Sequence, residues 1–432
     1  MRPTLRMRTA LLLCLALAGT SAAQTTTPYT PASAATVLER LPSTSDPRVR
    51  QFAVLKSRAR AAPNDVGAVV ALARAYVGYG RDTGDARYLG RAQAVIAPLL
   101  LRQPAPDDAL LVAATIFQSR HQFIESRRLL DGLVRRRPDH AQAWLTLSSV
   151  ALVQGDMAVG RSACGHLVRS AGVLVTAGCS TAWATVNGHA KDSLSTLDRL
   201  LALMPAASPD ILAWVHGLQA DAARYSGQSD RAEREFRNAL RYAPGDNFLL
   251  ADYADFLLDA GRPAEALALV KDYSQSDTSF LRQVLAESAL GLPVARGHVA
   301  TMASRFRDLE QRGDSRLYGR EEARFALELQ HDPARALRLA QGNWTIQRAP
   351  EDIRIFLEAA LAAGQPAAAR GVLAYIAHTQ FEDPRTLALA AKVSAAIAAT
   401  TPGTPSAPAP PGKPTATLAA TPAATPAAKP AP

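Results

Sequence analysis

Beyond residue 23 no apolar run approaches the ~18 residues that a membrane-spanning helix needs, so no later segment is expected to cross a bilayer. Aromatic side chains are scarce, at 6% of 432 residues, and no stretch alternates apolar with polar residues as a half-buried strand does. Catalytic signatures are missing too. There is no G-x-S-x-G, no H-E-x-x-H, no glycine-rich phosphate loop and no pair of histidines at helical spacing. These gaps point away from an enzyme and from a bound cofactor. Cysteine is limited to Cys14, Cys164 and Cys179. Cys164, His166 and Cys179 offer three candidate metal ligands without a fourth nearby, so no metal site is expected. The formal charge of +10 contains no block of one sign. Five of the 48 basic residues (Arg2, Arg6, Arg8, Lys413, Lys429) lie at the two ends, leaving 43 against 38 acidic over the body. Without basic residues interleaved with aromatics, a nucleic-acid partner is not expected.

What the chain does contain begins with a leader. Arg2, Arg6 and Arg8 precede the apolar run 10–18, and Ser21-Ala22-Ala23 offers small residues for cleavage. Residues 1–23 resemble a bacterial Sec signal, which implies a periplasmic or secreted protein that starts at Gln24 in an oxidising compartment. Leu13 before Cys14 is too large for a lipobox, so lipidation is not expected.

The stretch Asp230–Pro244, DRAEREFRNALRYAP, sets the pattern for the body. Ala232, Phe236, Ala239 and Leu240 fall on one helical face, and Pro244 stops the helix. Small residues at the crossings let a helix approach its neighbours closely, and one ring fills the gap between them. Leu212–Tyr225 supplies a preceding helix and Gly227-Gln228 the turn. The arrangement returns 34 residues on, as Tyr253-Ala254, Gly261, Ala266 and Val270, and the closing residues Pro138, Gly172 and Pro205 recur at nearly that interval. Residues 24–62 read as a linker and lead-in helices, with Phe52 and Leu55 inward. Residues 384–399 read as a capping helix. Residues 400–432, rich in Pro, Ala and Thr, cannot bury enough surface to order themselves.

The Ala–Phe–Ala–Pro helix, and Trp144, Leu147, Ser148 and Ala151 before Gly155-Asp156, resemble the tetratricopeptide repeat family, most closely its exported bacterial members. The resemblance spans about nine hairpins over residues 63–383 and weakens at 278–349. It implies an all-α fold, a right-handed solenoid of helix-turn-helix repeats whose first helices line a concave groove for peptides or proteins, without catalysis. The turn Gly80–Gly90 is about seven residues longer than the family pattern. Arg81, Asp82, Asp85, Arg87 and Tyr88 are therefore expected in an insertion loop at one edge.

Carried over position by position, the groove falls on Trp214, Asp221, Arg224 and Tyr225, then Phe248, Asp255 and Asp259, then Glu351, Arg354 and Glu358. Trp214 and Phe248 could equally pack inside, because His216 and Gln219 sit where apolar residues belong. Arg320 and Arg324 read as part of a solvated ion-pair face. Cys164 and Cys179 lie at similar distances either side of the Ala171–Val173 turn, so antiparallel helices bring them to one level. A disulfide is expected, with two free buried thiols as the alternative. The implied function is a non-catalytic periplasmic scaffold for an unidentified protein or peptide partner. The alternative is a structural component of an envelope assembly or of a polysaccharide or protein export machine. Oligomeric state is left open.

Overall fold

The structure is a computed structural model that describes Ser33, Ala35 and residues 46–311 and 318–400; the expected leader and the tail beyond Thr400 lie outside the described residues. Contacts group the chain into residues 1–50 and 51–432. In the first unit, Asp46 accepts from the Arg48 backbone N–H at 2.8 Å and so opens α1 (Pro47–Ala61). Everything below concerns the second unit.

Alanine at the crossings and a turn residue every second helix give nine antiparallel pairs among the described residues. The first three are α2 (Val66–Thr83) with α3 (Ala86–Leu100), α4 (Asp107–Ser119) with α5 (Phe123–Arg136), and α6 (Ala141–Gln154) with α7 (Met157–Leu167). Next come α8 (Val173–Thr185) with α9 (Ala190–Leu203), α10 (Pro209–Tyr225) with α11 (Ser229–Tyr242), and α12 (Asn247–Asp259) with α13 (Pro263–Val270). The last three are α14 (Asp277–Ala289) with α15 (Ala295–Gln311), α16 (Gly319–Glu328) with α17 (Pro333–Trp344), and α18 (Pro350–Ala362) with α19 (Arg370–Thr379); α20 (Pro384–Thr400) follows. No strand occurs among the described residues. The fold is an all-α solenoid of the tetratricopeptide type.

Phe236 sits as the α11 pattern demands. It is 1% exposed, its ring 5.3 Å from Tyr253 and 5.7 Å from Phe256 of the next repeat. Between α7 and α8 the fit is reversed, with glycine making room for a ring. A Cβ at Gly160 of α7 would lie 1.8 Å from the Trp183 ring, so this helix surface must be bare for the ring to seat. The Trp183 indole then donates to Ser148 Oγ at 2.8 Å, which itself donates to the Gly160 carbonyl.

Cys164 on α7 and Cys179 on α8 form a disulfide with Cα atoms 5.6 Å apart. The His166 ring stacks on Trp144 at 4.0 Å. Closing a loop of 15 residues, the bridge is expected to contribute about 3 kcal/mol. Cys164→Ser should lower the denaturant midpoint accordingly, and alkylation of the native chain without reductant should label neither sulfur.

The expected insertion loop is a correction. Its residues lengthen both helices instead: α2 runs on to Thr83 and α3 starts at Ala86. Arg81 and Asp82 are helical, Asp85 caps α3 and pairs with Arg87 at 2.6 Å, and Tyr88 is 2% exposed. The reason is aromatic. Tyr88 packs among Phe52, Tyr76 and Tyr79, with centroids 4.6–5.7 Å apart, which draws the segment inward. Only Gly84 makes a turn, in the left-handed region (φ 68°). A Cβ there would lie 2.4 Å from Ser276 Oγ, so the first repeat abuts the segment before α14.

The later repeats return against the earlier ones. The Arg348 backbone N–H donates to the Val153 carbonyl at 2.7 Å. The Ala190 backbone N–H donates to Glu382 Oε1 at 2.8 Å, and the Phe381 ring meets Tyr225 edge-on at 5.0 Å. Residues 348–385 thus cover the inner ends of α6, α8 and α10.

Candidate partner-binding interior

Helical spacing puts Asp221, Arg224 and Tyr225 on one stripe of α10 and Asp252, Asp255 and Asp259 on one stripe of α12. These stripes face Arg320 and Arg324 of α16 and Glu351, Arg354 and Glu358 of α18. Asp255 accepts from Arg282 Nε at 3.1 Å and Nη2 at 2.6 Å, and also pairs with Arg324. Burial pushes the Asp255 carboxyl up, but Arg282 and Arg324 outweigh it and hold it far below the usual range. Asp259 pairs with Arg354 at 2.6 Å and Arg385 at 2.9 Å, with Arg224 at 3.7 Å. Arg354 also reaches Glu358 at 2.9 Å.

Arg320 and Arg324 are corrected by this geometry, because they turn inward rather than to solvent. Their side chains are 27% and 12% exposed. Arg320 pairs with Glu321 at 2.9 Å and lies 3.8 Å from Glu351. Burial raises the Glu321 carboxyl, yet Arg320 and Arg282 bring it to about 2.

A cavity of about 170 Å³ opens beside this network, walled by Leu152 of α6, Trp183 of α8, Asp221, Asp252, Glu351 and Phe381. Tyr225 donates its hydroxyl to Glu351 at 3.2 Å. Asp221 and Asp252 make no hydrogen bond or ion pair with the described residues. Burial, reinforced by Glu351 and opposed by Arg224, pushes Asp221 up to about 7. Burial with the charges of Asp221 and Glu351 pushes Asp252 well above its ordinary value.

The structure brings Asp221, Arg224, Tyr225, Asp255, Asp259, Glu351, Arg354 and Glu358 together. Trp214 and Phe248 stand apart. The Trp214 ring lies over Gly178, where a Cβ would come within 2.5 Å, beside Leu174 and Leu197. Phe248 is 54% exposed, its ring 5.6 Å from the Arg81 guanidinium. His216, out of place in an apolar register, pairs with Glu235 at 2.7 Å. Sequence reasoning misses Asp252, Trp183 and Arg282. Asp252 has a signal, since it lies one turn before Asp255 on the same stripe.

A carboxyl raised from 3.8 to about 7 favours the folded state at low pH. That contribution is complete below the unfolded value and is lost as pH rises through about 7, by up to about 4 kcal/mol. Asp221→Asn is neutral throughout. It should therefore melt about 5 °C above the wild type at pH ~8, and close to it at pH ~4. Melts whose separation does not change with pH would refute the assignment.

Stacked antiparallel helix pairs with a polar inner face define a helical-repeat solenoid, a class that presents helix surfaces to partners. Residues 111–164 and 188–302 each match family models described as tetratricopeptide repeat. The chain thus carries tetratricopeptide repeats over those two stretches. It is similar to the solved structure of PilW, a type IV pilus biogenesis factor, at 15% identity over 46% of this chain and 94% of PilW (TM-score 0.37). A tetratricopeptide repeat protein from Parabacteroides merdae shares 12% identity over 72% of this chain and 99% of its own (TM-score 0.35). Human IFIT1 with PPP-AAAA shares 14% over 79% and 78% (TM-score 0.42). No curated protein sequence matches the chain.

Proposed function

We propose that this protein is an exported, non-catalytic scaffold that holds a segment of a partner protein on its inner face. The observation that carries the reading is the convergence of the α10, α12 and α18 stripes on one cavity, where two carboxylates have no partner within the chain's described residues. Repeats of this family present first-helix side chains to other proteins, and the inner face here offers charge, aromatic area and space together. The leader at residues 1–23 supports export to the periplasm.

The test is a photo-crosslinking residue at Leu218, in the cavity wall, in cells carrying the full chain. A crosslinked partner protein identified by mass spectrometry supports the scaffold; crosslinks only within the chain itself count against it. The mass of the mature N-terminus, expected at Gln24, tests export in the same material.

A structural role in an envelope assembly is favoured by a different observation. Leu101, Val168 and Leu203, at the C-terminal ends of α3, α7 and α9, are 83%, 70% and 78% exposed. Apolar side chains at the same helix end in the first, third and fourth repeats suit a permanent contact. Serine at all three positions should then release the protein from a high-molecular-weight membrane fraction without changing its melt.

A further inference from the structure

We infer that the cavity between α8, α10, α12 and α18 is a binding site for one organic cation, an ammonium or guanidinium group. Three carboxylates line it, from Asp221, Asp252 and Glu351. The neighbouring carboxylates of the inner face are engaged: Asp255 and Asp259 by arginines, Glu321 by Arg320, Glu358 by Arg354. Asp221 and Asp252 are the exceptions among them. A second group points the same way. Thr185 lines the cavity at 4% exposure, and its hydroxyl has no hydrogen bond to any described residue. Asp221 and Asp252 are half-buried and open onto the cavity with Thr185, and a donor-rich cation there would satisfy an acceptor hydroxyl and two carboxylates at once.

The walls select the kind of cation. Trp183, Tyr225 and Phe381 contribute ring surface, and a desolvated cation gains from an aromatic face. Ser148 fixes the Trp183 indole from outside the cavity. No group of three ligating side chains among the described residues could hold a metal ion. The acidic groups are thus spread around a ligand of several atoms rather than focused on a point. Arg348 also lines the cavity, but its guanidinium lies 5.7 Å from the Trp344 ring and 5.9 Å from the Tyr375 ring. Arg224, the cation that does bear on Asp221 and Asp252, is shared with Asp259 and Glu351.

The charges that face Asp221 are Glu351 and Arg224; those that face Asp252 are Asp221, Glu351, Asp255 and Arg224. A cation binds the ionised carboxylates, so binding should release protons below pH ~7 and tighten as pH rises through that value. The site stands on the cavity itself and rests on the scaffold reading only for the source of the cation. A partner's arginine or lysine side chain and a free small amine share the chemistry.

Isothermal titration of the full-length mature protein at pH ~8, in matched salt, decides the matter with two probes, ethylguanidinium and the peptide Gly-Gly-Arg-Gly-Gly. Saturable binding of either supports the site. A peptide that binds at least as tightly as ethylguanidinium assigns it to a partner's side chain; ethylguanidinium alone assigns it to a free cation. Asp221→Asn and Asp252→Asn should each weaken binding about tenfold to a hundredfold, and lowering the pH to ~5.5 should weaken it in the wild type. Absence of saturable heat with both probes overturns the proposal. So does unchanged affinity in both variants. Cation binding without partner crosslinks would remove the scaffold reading and leave the site; crosslinks without cation binding would do the reverse.

Discussion

Asp255→Ala is expected to destabilise the protein by about 3–5 kcal/mol, because it strands two arginines in the interior. Arg282 is 4% exposed and Arg324 12%. With Asp255 gone, the only carboxylate left to Arg282 is Glu321, at 4.0 Å, beside the Thr278 carbonyl at 3.3 Å, and Arg324 keeps Glu328 at the rim. An unpaired guanidinium in such a place costs far more than the ion pair contributed when whole. The loss should appear as a lower urea midpoint with an unchanged slope. The sign distinguishes this carboxylate from Asp221. Neutralising Asp221 at pH ~8 raises stability, whereas removing Asp255, nearby on the same inner face, lowers it. If both changes moved stability the same way, the division between paired and unpaired carboxylates would be wrong.

Phe236→Ala should cost a similar amount, about 3–5 kcal/mol, by a different route. The ring is 1% exposed and bridges α11 to Tyr253 and Phe256 of the following repeat. Truncation leaves a cavity beside Tyr253 and Phe256 in a core cluster rich in alanine, with Ala222, Ala223, Ala232 and Ala254 among its members, and alanines have no side chain with which to fill it. Hydrogen exchange should quicken most in α10–α13. A melt within about 1 °C of the wild type would show that another side chain carries this junction.

The helix pairs are legible because each repeat states its own register. Ala232, Phe236 and Ala239 sit on one face with a closing proline after them, and α11 lies where that pattern puts it. The contacts of residues 348–385 with earlier repeats are not legible, since no local periodicity records which distant helix a stripe will meet. Arg320 and Arg324 show the difference. Their spacing is that of a solvated face, and only the opposing Asp255, Glu351 and Asp352 turn them inward. The lengthened turn after Tyr79 misleads for a related reason. Its surplus residues look like a loop by their number, while Tyr88 has an aromatic cluster to join. Asp252 escapes any reading that follows the family pattern, rather than the stripe, along α12.

The return of the last helices has a consequence in the order of synthesis. Arg385 bonds the Asp259 carbonyl across 126 residues, and Glu382 bonds the Ala190 backbone across 192. An open array of nearest neighbours can fold as it emerges, each repeat completing the one before. Here the inner surface of the middle repeats is completed by residues 348–385, which are made well after those repeats. Until that stretch arrives, Asp259 lacks Arg354 and Arg385 and Tyr225 lacks Phe381, so the early repeats wait, formed but uncovered, for a partner carried by their own C-terminal helices.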